Sequence, residues 1–182
     1  MIELIVGKPG SGKSYLAVKQ IAEKLVDWAN YEARENKPFE MSVYTNLKLN
    51  IEACNDYVKK KTGKNIDVSN YINLLDDKFF YKGGIAVEWW ENIPPYSYIV
   101  LDEVHELIPA GGIGGKNYME AFTKYISQHR HNGQEITFIT QHTDTIHKNI
   151  LCMATKQKNV VNVKNKTLPF IGIPIKDLDV VY

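Results

Sequence analysis

A glycine-rich segment directly after a short apolar run constrains the fold of this chain more than any other feature. Ile2–Val6 is typical of a buried strand, and residues 7–14 (GKPGSGKS) match the phosphate-loop pattern G-x-x-x-x-G-K-[ST] at every position. Residues 14–34 contain no proline or glycine, and their apolar residues recur at helical spacing. A strand, a glycine-rich loop and a helix in this order predict a phosphate-binding loop at the start of an α/β domain.

The residue types of this loop suit the chemistry of phosphate. Glycines allow backbone N–H groups to converge on phosphate oxygens, and the helix that follows presents its positive N-terminus. Lys13 is predicted to contact the β and γ phosphates and to act catalytically, while the Ser14 hydroxyl is predicted to bind a metal ion. The predicted ligands are ATP and Mg²⁺, and the predicted nucleotide contacts are Gly7, Lys8, Pro9, Gly10, Ser11, Gly12, Lys13, Ser14 and Tyr15.

Strand and helix patterns alternate along much of the remaining chain. Residues 42–47, Tyr98–Leu101 and residues 136–140 have the composition of strands. Residues 117–131 and 143–150 are predicted to be helices. This alternation predicts an α/β fold with a mainly parallel sheet flanked by helices.

The length of 182 residues suits a single domain. The segment from about residue 49 to residue 95 contains a lysine run, a diglycine and two adjacent tryptophans. We interpret it as an insertion of short elements before the strand Tyr98–Leu101. A closing strand or hairpin is expected to begin near Val160. Residues of about 165–182 contain two prolines and are predicted to be an irregular tail.

Composition excludes several classes of protein. With 44% apolar and 24% charged residues, the chain is neither a disordered tail nor a fibrous repeat. Its 22 basic and 21 acidic residues nearly cancel, so simple charge attraction to nucleic acid or to an anionic membrane is not its main property. Two cysteines make no disulfide framework, and no uncharged stretch approaches the roughly 20 residues that span a bilayer. The predicted location is cytoplasmic.

An acidic pair follows the apolar run Tyr98–Leu101, at the position expected for a Walker B acid. Loops after parallel strands meet at one edge of the sheet, so this pair is expected to lie beside the phosphate loop. Asp102 is predicted to orient Mg²⁺, and Glu103 to polarise the attacking water as a general base. The alternative is an ordinary exposed acidic pair after a strand. An adjacent glutamate favours an ATPase over a small-molecule kinase, which has no use for an activated water.

Two further residues are candidates for catalysis. Gln141 follows the strand over residues 136–140 and can contact the γ phosphate or its water, although capping of the next turn is an equal alternative. Arg130, at the predicted end of a helix, is a candidate arginine finger acting on a neighbouring subunit. Its alternative role is to complement the helix C-terminus, and Lys116 is a weaker cationic candidate. The predicted catalytic set is Lys13, Glu103, Gln141 and Arg130.

Other chemically distinctive residues have simpler interpretations. His129 and His131 lack the cysteine or carboxylate that would complete a zinc-binding spacing, so metal binding there is a minor alternative. Cys54 and Cys152 are expected to be buried small residues. The adjacent tryptophans are expected to pack the insertion onto the core rather than form a stacking platform. The lysines between residues 156 and 166 are expected to lie on a solvated face.

Three blocks of sequence together resemble the zonular occludens toxin (Zot) domain, a family that includes the gene I assembly proteins of filamentous phages. The blocks are residues 4–15 (LIVGKPGSGKSY), residues 101–109 (LDEVHELIP) and the stretch from residue 129 to residue 147, which contains HRHNG, ITQ and IH. The resemblance extends from Met1 to about Ile150, and residues 49–95 contribute little to it.

This resemblance implies a RecA-like P-loop NTPase related to DNA-pumping motors. The implied function is ATP hydrolysis for the assembly and extrusion of filamentous phage at the cytoplasmic face of the bacterial inner membrane. Implied partners are further copies in a ring or other homo-oligomer, phage assembly and coat proteins, and, as a further candidate, phage DNA. Membrane association is expected only through a segment that this chain lacks. The alternatives are a viral DNA-packaging or DNA-transfer ATPase and a nucleotide-dependent scaffold with negligible turnover.

Overall fold

The computed structural model describes residues 1–35, 41–161 and 180–181. The strands are β1 (Ile2–Val6), β2 (Val43–Thr45), β3 (Ile72–Leu74), β4 (Tyr81–Lys82), β5 (Ile85–Ala86), β6 (Tyr98–Leu101), β7 (Glu135–Thr140), β8 (Lys156–Val161) and β9 (Val180–Val181). The helices are α1 (Lys13–Glu35), α2 (Ile51–Thr62), α3 (Asp77–Phe80), α4 (Val104–Leu107), α5 (Gly115–Gln128) and α6 (Lys148–Met153). Short 3-10 turns lie at Val68–Tyr71, Trp89–Asn92 and Thr143–Thr145.

Among the described residues, seven strands form the central sheet, in the order β3-β2-β6-β7-β1-β8-β9. The first six of this order pair in parallel, whereas β9 pairs with β8 in the antiparallel direction. The strands β4 and β5 form a separate hairpin. The predicted α/β class with a mainly parallel sheet is confirmed. Because β7 lies between β1 and β6, the phosphate loop and the acidic pair emerge at the same edge of the sheet, one strand apart.

Side chains alternate across the sheet, so each central strand contributes to two core layers. In β6, Ile99 and Leu101 pack in the layer formed with α4, α5 and α6. Tyr98 and Val100 pack in the opposite layer, formed with α1 and α2. Helices therefore cover both faces of the sheet, as the apolar runs predict. Within the described part of the chain, no helix is both long enough and apolar enough to cross a membrane.

The two adjacent tryptophans lie in the core. Trp90 stacks on Tyr125 of α5 with ring centroids 5.7 Å apart and ring planes 16° apart. Trp89 is 1% exposed and meets the ring of Phe80 edge-on at 5.6 Å and that of Phe122 at 6.3 Å. Burial also raises the pKa of the Tyr125 hydroxyl. The prediction that these tryptophans pack the insertion onto the core is confirmed.

Residues 49–95 form short mixed elements, as expected, but part of them belongs to the central sheet. The strand β3 pairs in parallel with β2 and adds one strand to that sheet. The helix α2 begins after Asn50, whose side chain accepts a hydrogen bond from the Ala53 N–H at 3.0 Å, and it ends at Gly63 in a left-handed conformation. Cys54 and Val58 of this helix are buried against α1.

The helix predicted over residues 143–150 is wrong in its first half. A 3-10 turn at Thr143–Thr145 precedes Ile146, which is extended and forms an antiparallel bridge with Pro109. The helix α6 begins only after this bridge. Pairing with a remote segment thus outweighs the local preference for helix, and a sequence pattern does not report such a partner.

Other boundaries differ by smaller amounts. The helix α5 begins at Gly115, two residues before its predicted start. The strand β8 begins at Lys156 rather than near Val160. The tail predicted to be irregular, residues 165–182, lies outside the described residues except for Val180–Val181, which pair with β8 as a strand.

A buried carboxylate joins β1, β8 and α1. Glu3 is 2% exposed, accepts a 2.6 Å hydrogen bond from the Gln20 amide and lies 3.0 Å from the Lys158 ammonium and 3.3 Å from that of Lys156. Both lysines are therefore ion-paired; the expectation of a solvated face holds for the exposed Lys156 and is wrong for Lys158, whose side chain is 16% exposed. Burial raises the pKa of Glu3, but the hydrogen bonds from Gln20 and the lysines outweigh it, so the net pKa is lowered.

Replacing the Glu3 carboxylate should make the free energy of unfolding less dependent on pH in the acidic range. A lowered folded-state pKa means that Glu3 stabilises the fold above its unfolded pKa of about 4.3, and that this contribution is lost as pH falls through the folded value. We expect Glu3→Gln to reduce the free energy of unfolding by about 1–3 kcal/mol at neutral pH, and the difference from the wild type to shrink in acid. Urea unfolding at neutral pH and at acidic pH tests this prediction, with the exposed Glu23→Gln as control. A loss of unfolding free energy that is equal at the two pH values would contradict it.

Candidate active site

Two glycines determine the path of the phosphate loop. Gly12 has φ of +100°, a conformation that side-chain-bearing residues rarely adopt. At Gly7, a Cβ atom would lie 2.4 Å from the carbonyl oxygen of Val160 and 2.6 Å from Ser11 Oγ. The loop is closed further by a 3.1 Å hydrogen bond from the Ser11 N–H to the Lys8 carbonyl. Glycine at position 7 therefore lets β8 pass directly against the loop.

Lys13 places a positive charge inside this loop. Lys13 is 7% exposed, and its ammonium donates a hydrogen bond to the Lys8 carbonyl at 3.3 Å. None of the ion pairs in the described residues involves Lys13. Because a buried charge without a counter-charge is costly, the loop is suited to receive an anion.

The phosphate loop and the acidic strand end meet directly. Ser14 Oγ donates to Asp102 Oδ2 at 2.8 Å, across 88 residues of sequence. A hydroxyl and a carboxylate at this distance form an oxygen ligand pair of the kind that Mg²⁺ prefers. The donor set therefore fits the metal ion predicted from the sequence.

Glu103 lies next to this pair in a strained conformation. Its backbone is left-handed (φ 49°, ψ 44°), which is uncommon for a residue other than glycine and costs about 1–3 kcal/mol. Its N–H donates to Asp102 Oδ1 at 2.9 Å. Its Oε1 accepts from the Gln141 amide at 3.3 Å, and its Oε2 lies 3.3 Å from His105 Nδ1. Gln141 thus contacts the predicted general base, and its contact with the γ phosphate or its water stays a prediction.

Asn46 also belongs to the site, although it was not predicted from the sequence. It follows β2, the strand that pairs with β6. Its side-chain oxygen accepts from the Asp102 N–H at 2.7 Å, and its amide donates to the Asp102 carbonyl at 3.0 Å. These two bonds fix the peptide that carries the acidic pair. The sequence feature that could have identified Asn46 is its position as a polar residue immediately after a strand, at the edge of the sheet where ligands bind.

A cavity of about 510 Å³ opens beside the phosphate loop. This size is in the usual range for small-molecule sites. It lies between the loop and β8, and its lining consists of residues 6–11, Gln141, His142 and residues 159–161. This cavity borders the phosphate loop, whereas Asp102 and Glu103 line a separate cavity of about 360 Å³.

The family model described as zonular occludens toxin (Zot) matches residues 1–177. The chain belongs to the Zot family. The N-terminal domain of zonular occludens toxin from Neisseria meningitidis is similar in structure, with 26% sequence identity, a TM-score of 0.53 and coverage of 87% of this chain and 75% of that one. Among curated protein sequences, none matches this chain significantly.

Viral packaging enzymes share the fold at lower sequence identity. The genome packaging NTPase B204 from Sulfolobus turreted icosahedral virus 2, in complex with AMPPCP, has a TM-score of 0.55 and 15% identity over 92% of this chain and 76% of its own. A second structure, of B204 as the DNA-packaging ATPase of Sulfolobus turreted icosahedral virus, has a TM-score of 0.50 and 18% identity over 92% and 77%. The RecA-like P-loop NTPase fold that the Zot resemblance implies is confirmed.

The predicted site residues do not all lie together. Lys13, Ser14, Asp102, Glu103 and Gln141 meet at the carboxyl edge of this Zot-family sheet, and Tyr15 lies 65% exposed beside them.

Arg130 lies elsewhere, exposed in the turn between α5 and β7. That turn is at the opposite end of β7 from the phosphate loop, a distance of roughly 17 Å along six residues. Lys116, in the first turn of α5, is 87% exposed and lies 3.6 Å from Glu120.

The histidines and cysteines are spread over different environments. His129 is 4% exposed, its Nδ1 contacts the Ile126 carbonyl, and burial lowers its pKa. In the described part of the chain, no group of three or more His, Cys, Asp or Glu residues is arranged to hold a metal ion. Cys54 is buried as expected, but Cys152 is exposed, so that expectation is wrong for Cys152. Neither cysteine belongs to the site.

The close approach of β8 to the loop gives a test of this geometry. We expect Gly7→Ala to lower the free energy of unfolding by about 1–3 kcal/mol, because its methyl group overlaps the Val160 carbonyl. Gly111→Ala is the matched control, since a Cβ there meets nothing within 4 Å, and it should leave stability unchanged or slightly higher. Chemical unfolding measures both; equal effects of the two substitutions would contradict the close approach.

Proposed function

We propose that this Zot-family protein binds and hydrolyses ATP as a motor domain for the assembly and extrusion of filamentous phage at the bacterial inner membrane. The observation that carries the proposal is the 2.8 Å hydrogen bond from Ser14 to Asp102. This bond joins the phosphate loop to Asp102 at the end of β6, and Glu103 lies beside the loop and beside Asp102. The solved complexes of B204 with ATP-gammaS and AMPPCP support a nucleotide as the ligand.

Binding relies on the loop and on the cavity beside it. Backbone N–H groups of residues 7–15, apart from Pro9, which has none, and the Lys13 ammonium bind the phosphates of ATP. Ser14 and Asp102 are the residues that would hold Mg²⁺, which would supply charge neutralisation to the phosphates when bound. The cavity of about 510 Å³ between the loop and β8 accommodates the base and ribose.

Hydrolysis relies on Glu103. Its carboxylate takes a proton from a water molecule whose oxygen bonds to the γ phosphorus, while the bond to the bridging oxygen breaks and its electron pair leaves on ADP. Gln141 donates to this carboxylate at 3.3 Å and so helps to fix its direction. A base placed for water favours hydrolysis over transfer of phosphate to a second substrate.

Two substitutions should separate binding from chemistry. Lys13→Ala removes the buried charge, so we expect nucleotide binding and turnover both to be lost. Glu103→Gln keeps the shape of the side chain without its basicity, so we expect binding to persist while turnover falls by about 10²–10⁴-fold. Equilibrium binding of a fluorescent ATP analogue and release of inorganic phosphate measure the two effects.

Lys59→Ala is a suitable control for both variants, because Lys59 is exposed on α2 and far along the chain from the loop. It should behave as the wild type in both assays. Full turnover by Lys13→Ala would refute the ATPase assignment.

A homo-oligomer is part of the proposal because Arg130 is remote from the site of its own chain. An arginine finger at this position acts on the phosphate loop of a neighbouring copy, through a heterologous contact of the kind that builds rings. The loss of such a finger typically costs 10³–10⁵-fold in hydrolysis.

Mixing two inactive variants tests action between subunits. Arg130→Ala keeps an intact site and lacks the finger, whereas Glu103→Gln keeps the finger and lacks the base. We expect each to be nearly inactive alone, and their mixture to recover activity as protein concentration rises. The double variant Glu103→Gln/Arg130→Ala is the control and should rescue nothing; a mixture that stays inactive would rule out Arg130 as a finger.

The remaining partners in this proposal are phage assembly and coat proteins, with phage DNA as a further candidate, in the cytoplasm or at the cytoplasmic face of the inner membrane. A viral DNA-packaging or DNA-transfer ATPase is the alternative, and it is compatible with the fold shared with B204. Strong stimulation of hydrolysis by double-stranded DNA would favour that alternative. Nucleotide binding with turnover at background, even in an assembled oligomer, would favour a scaffold.

A further inference from the structure

His105 has no part in the reaction described above, yet it lies beside the general base. It belongs to α4, the short helix directly after Glu103. Its Nδ1 is 3.3 Å from Glu103 Oε2. Both atoms are shielded from solvent, and neither makes a hydrogen bond within the described part of the chain. Two buried polar atoms without partners therefore face each other next to the candidate catalytic centre.

Buried polar atoms without a hydrogen bond are rare, because each has lost its contacts with water and gained nothing in return. One arrangement satisfies both atoms at once, with a proton on His105 Nδ1 donated to Glu103 Oε2. A small rotation of either side chain is enough to improve the angle at a separation of 3.3 Å. Hydrogen bonds in active sites are often long in the unliganded protein and tighten when substrate binds.

The two oxygens of the Glu103 carboxylate then have different partners. Gln141 donates to Oε1 at 3.3 Å, and His105 faces Oε2. A carboxylate has about four lone-pair sites, so two remain for a water molecule. Contacts on both sides fix the rotation of the carboxylate without using up its capacity to accept a proton.

The rest of α4 holds His105 in place. Val104 and Leu107 on either side of it are buried in the core. The Tyr81 hydroxyl donates to the Glu106 carbonyl at 3.2 Å and ties the hairpin of β4 and β5 to this helix. The imidazole is therefore carried by a packed element, as a residue that orients another must be.

We propose that His105 is a positioning residue for Glu103, donating from Nδ1 to Oε2 so that the carboxylate stays directed at the water beside the phosphate loop. This inference rests on the proposed ATPase function for its kinetic consequence. Its structural content, the contact between His105 and Glu103, does not depend on turnover.

The contact itself is tested by the ring nitrogen resonances of the full chain in ¹⁵N nuclear magnetic resonance. In the wild type, we expect His105 to carry its proton on Nδ1 at neutral pH. In Glu103→Ala, it should return to the Nε2–H form that is favoured in an unconstrained histidine side chain. The exposed His131, at the opposite end of the sheet, is the internal reference and should not change. An Nε2–H form of His105 in the wild type, or no response to Glu103→Ala, would overturn the proposal.

The kinetic consequence is tested with His105→Ala and His105→Asn. We expect His105→Ala to lower turnover about 10- to 100-fold, as misplacement of a catalytic group does, while the Kd for the ATP analogue stays within about twofold. His105→Asn keeps a neutral donor near the position of Nδ1 and should recover most of the loss. Wild-type turnover in His105→Ala, or an equal loss in Kd, would overturn the positioning role.

A double-mutant cycle distinguishes this inference from the proposed function. In the Glu103→Gln background, His105→Ala should cost less than about twofold, because the residue through which it acts is already disabled. A further loss as large as in the wild-type background would show that His105 acts independently. If Glu103→Gln alone retains full turnover, the ATPase mechanism fails; if it is inactive and His105→Ala is fully active, only the present inference fails.

Discussion

The hydrogen bond from Ser14 to Asp102 is the contact on which the rest of the site depends. It forms because β1 and β6 run parallel on either side of β7, so that the residues after both strands emerge at one edge. The register supports it, since Leu4 of β1 and Leu101 of β6 both lie opposite Phe138 of β7. A shift of one residue would turn the core side chains of a strand to the wrong face. Core packing therefore also sets the geometry of the site.

The parts of this arrangement that follow from local sequence could be predicted. Strands buried on both faces appear as continuous apolar runs, and the phosphate loop is specified by its own glycines and lysine. The acidic pair and Gln141 were identified because each directly follows such a run. These predictions need only the general rule that parallel strands end at a shared edge.

Features that depend on a partner remote in sequence could not be predicted in the same way. Asn46 is part of the site only because β2 pairs with β6, and the sequence of neither strand shows which strand it pairs with. Ile146 leaves the helical pattern because it bridges Pro109. In the sequence, Glu3 is an unexplained charge within an apolar run. The fold explains it, because Lys158 of β8 lies 3.0 Å from its carboxylate. In each case the deciding contact forms only after the sheet is assembled.

The same topology determines which cation can act within one chain. In a parallel sheet, residues after a strand lie at the phosphate edge, and residues just before a strand lie at the opposite edge. Arg130 precedes β7 and so lies at the far edge, away from the phosphate loop of its own chain. Lys116 begins α5, which follows β6 and α4, so it lies at the phosphate edge of its own chain, although it is 3.6 Å from Glu120. The topology thus makes an arginine finger at position 130 and an oligomer a single hypothesis.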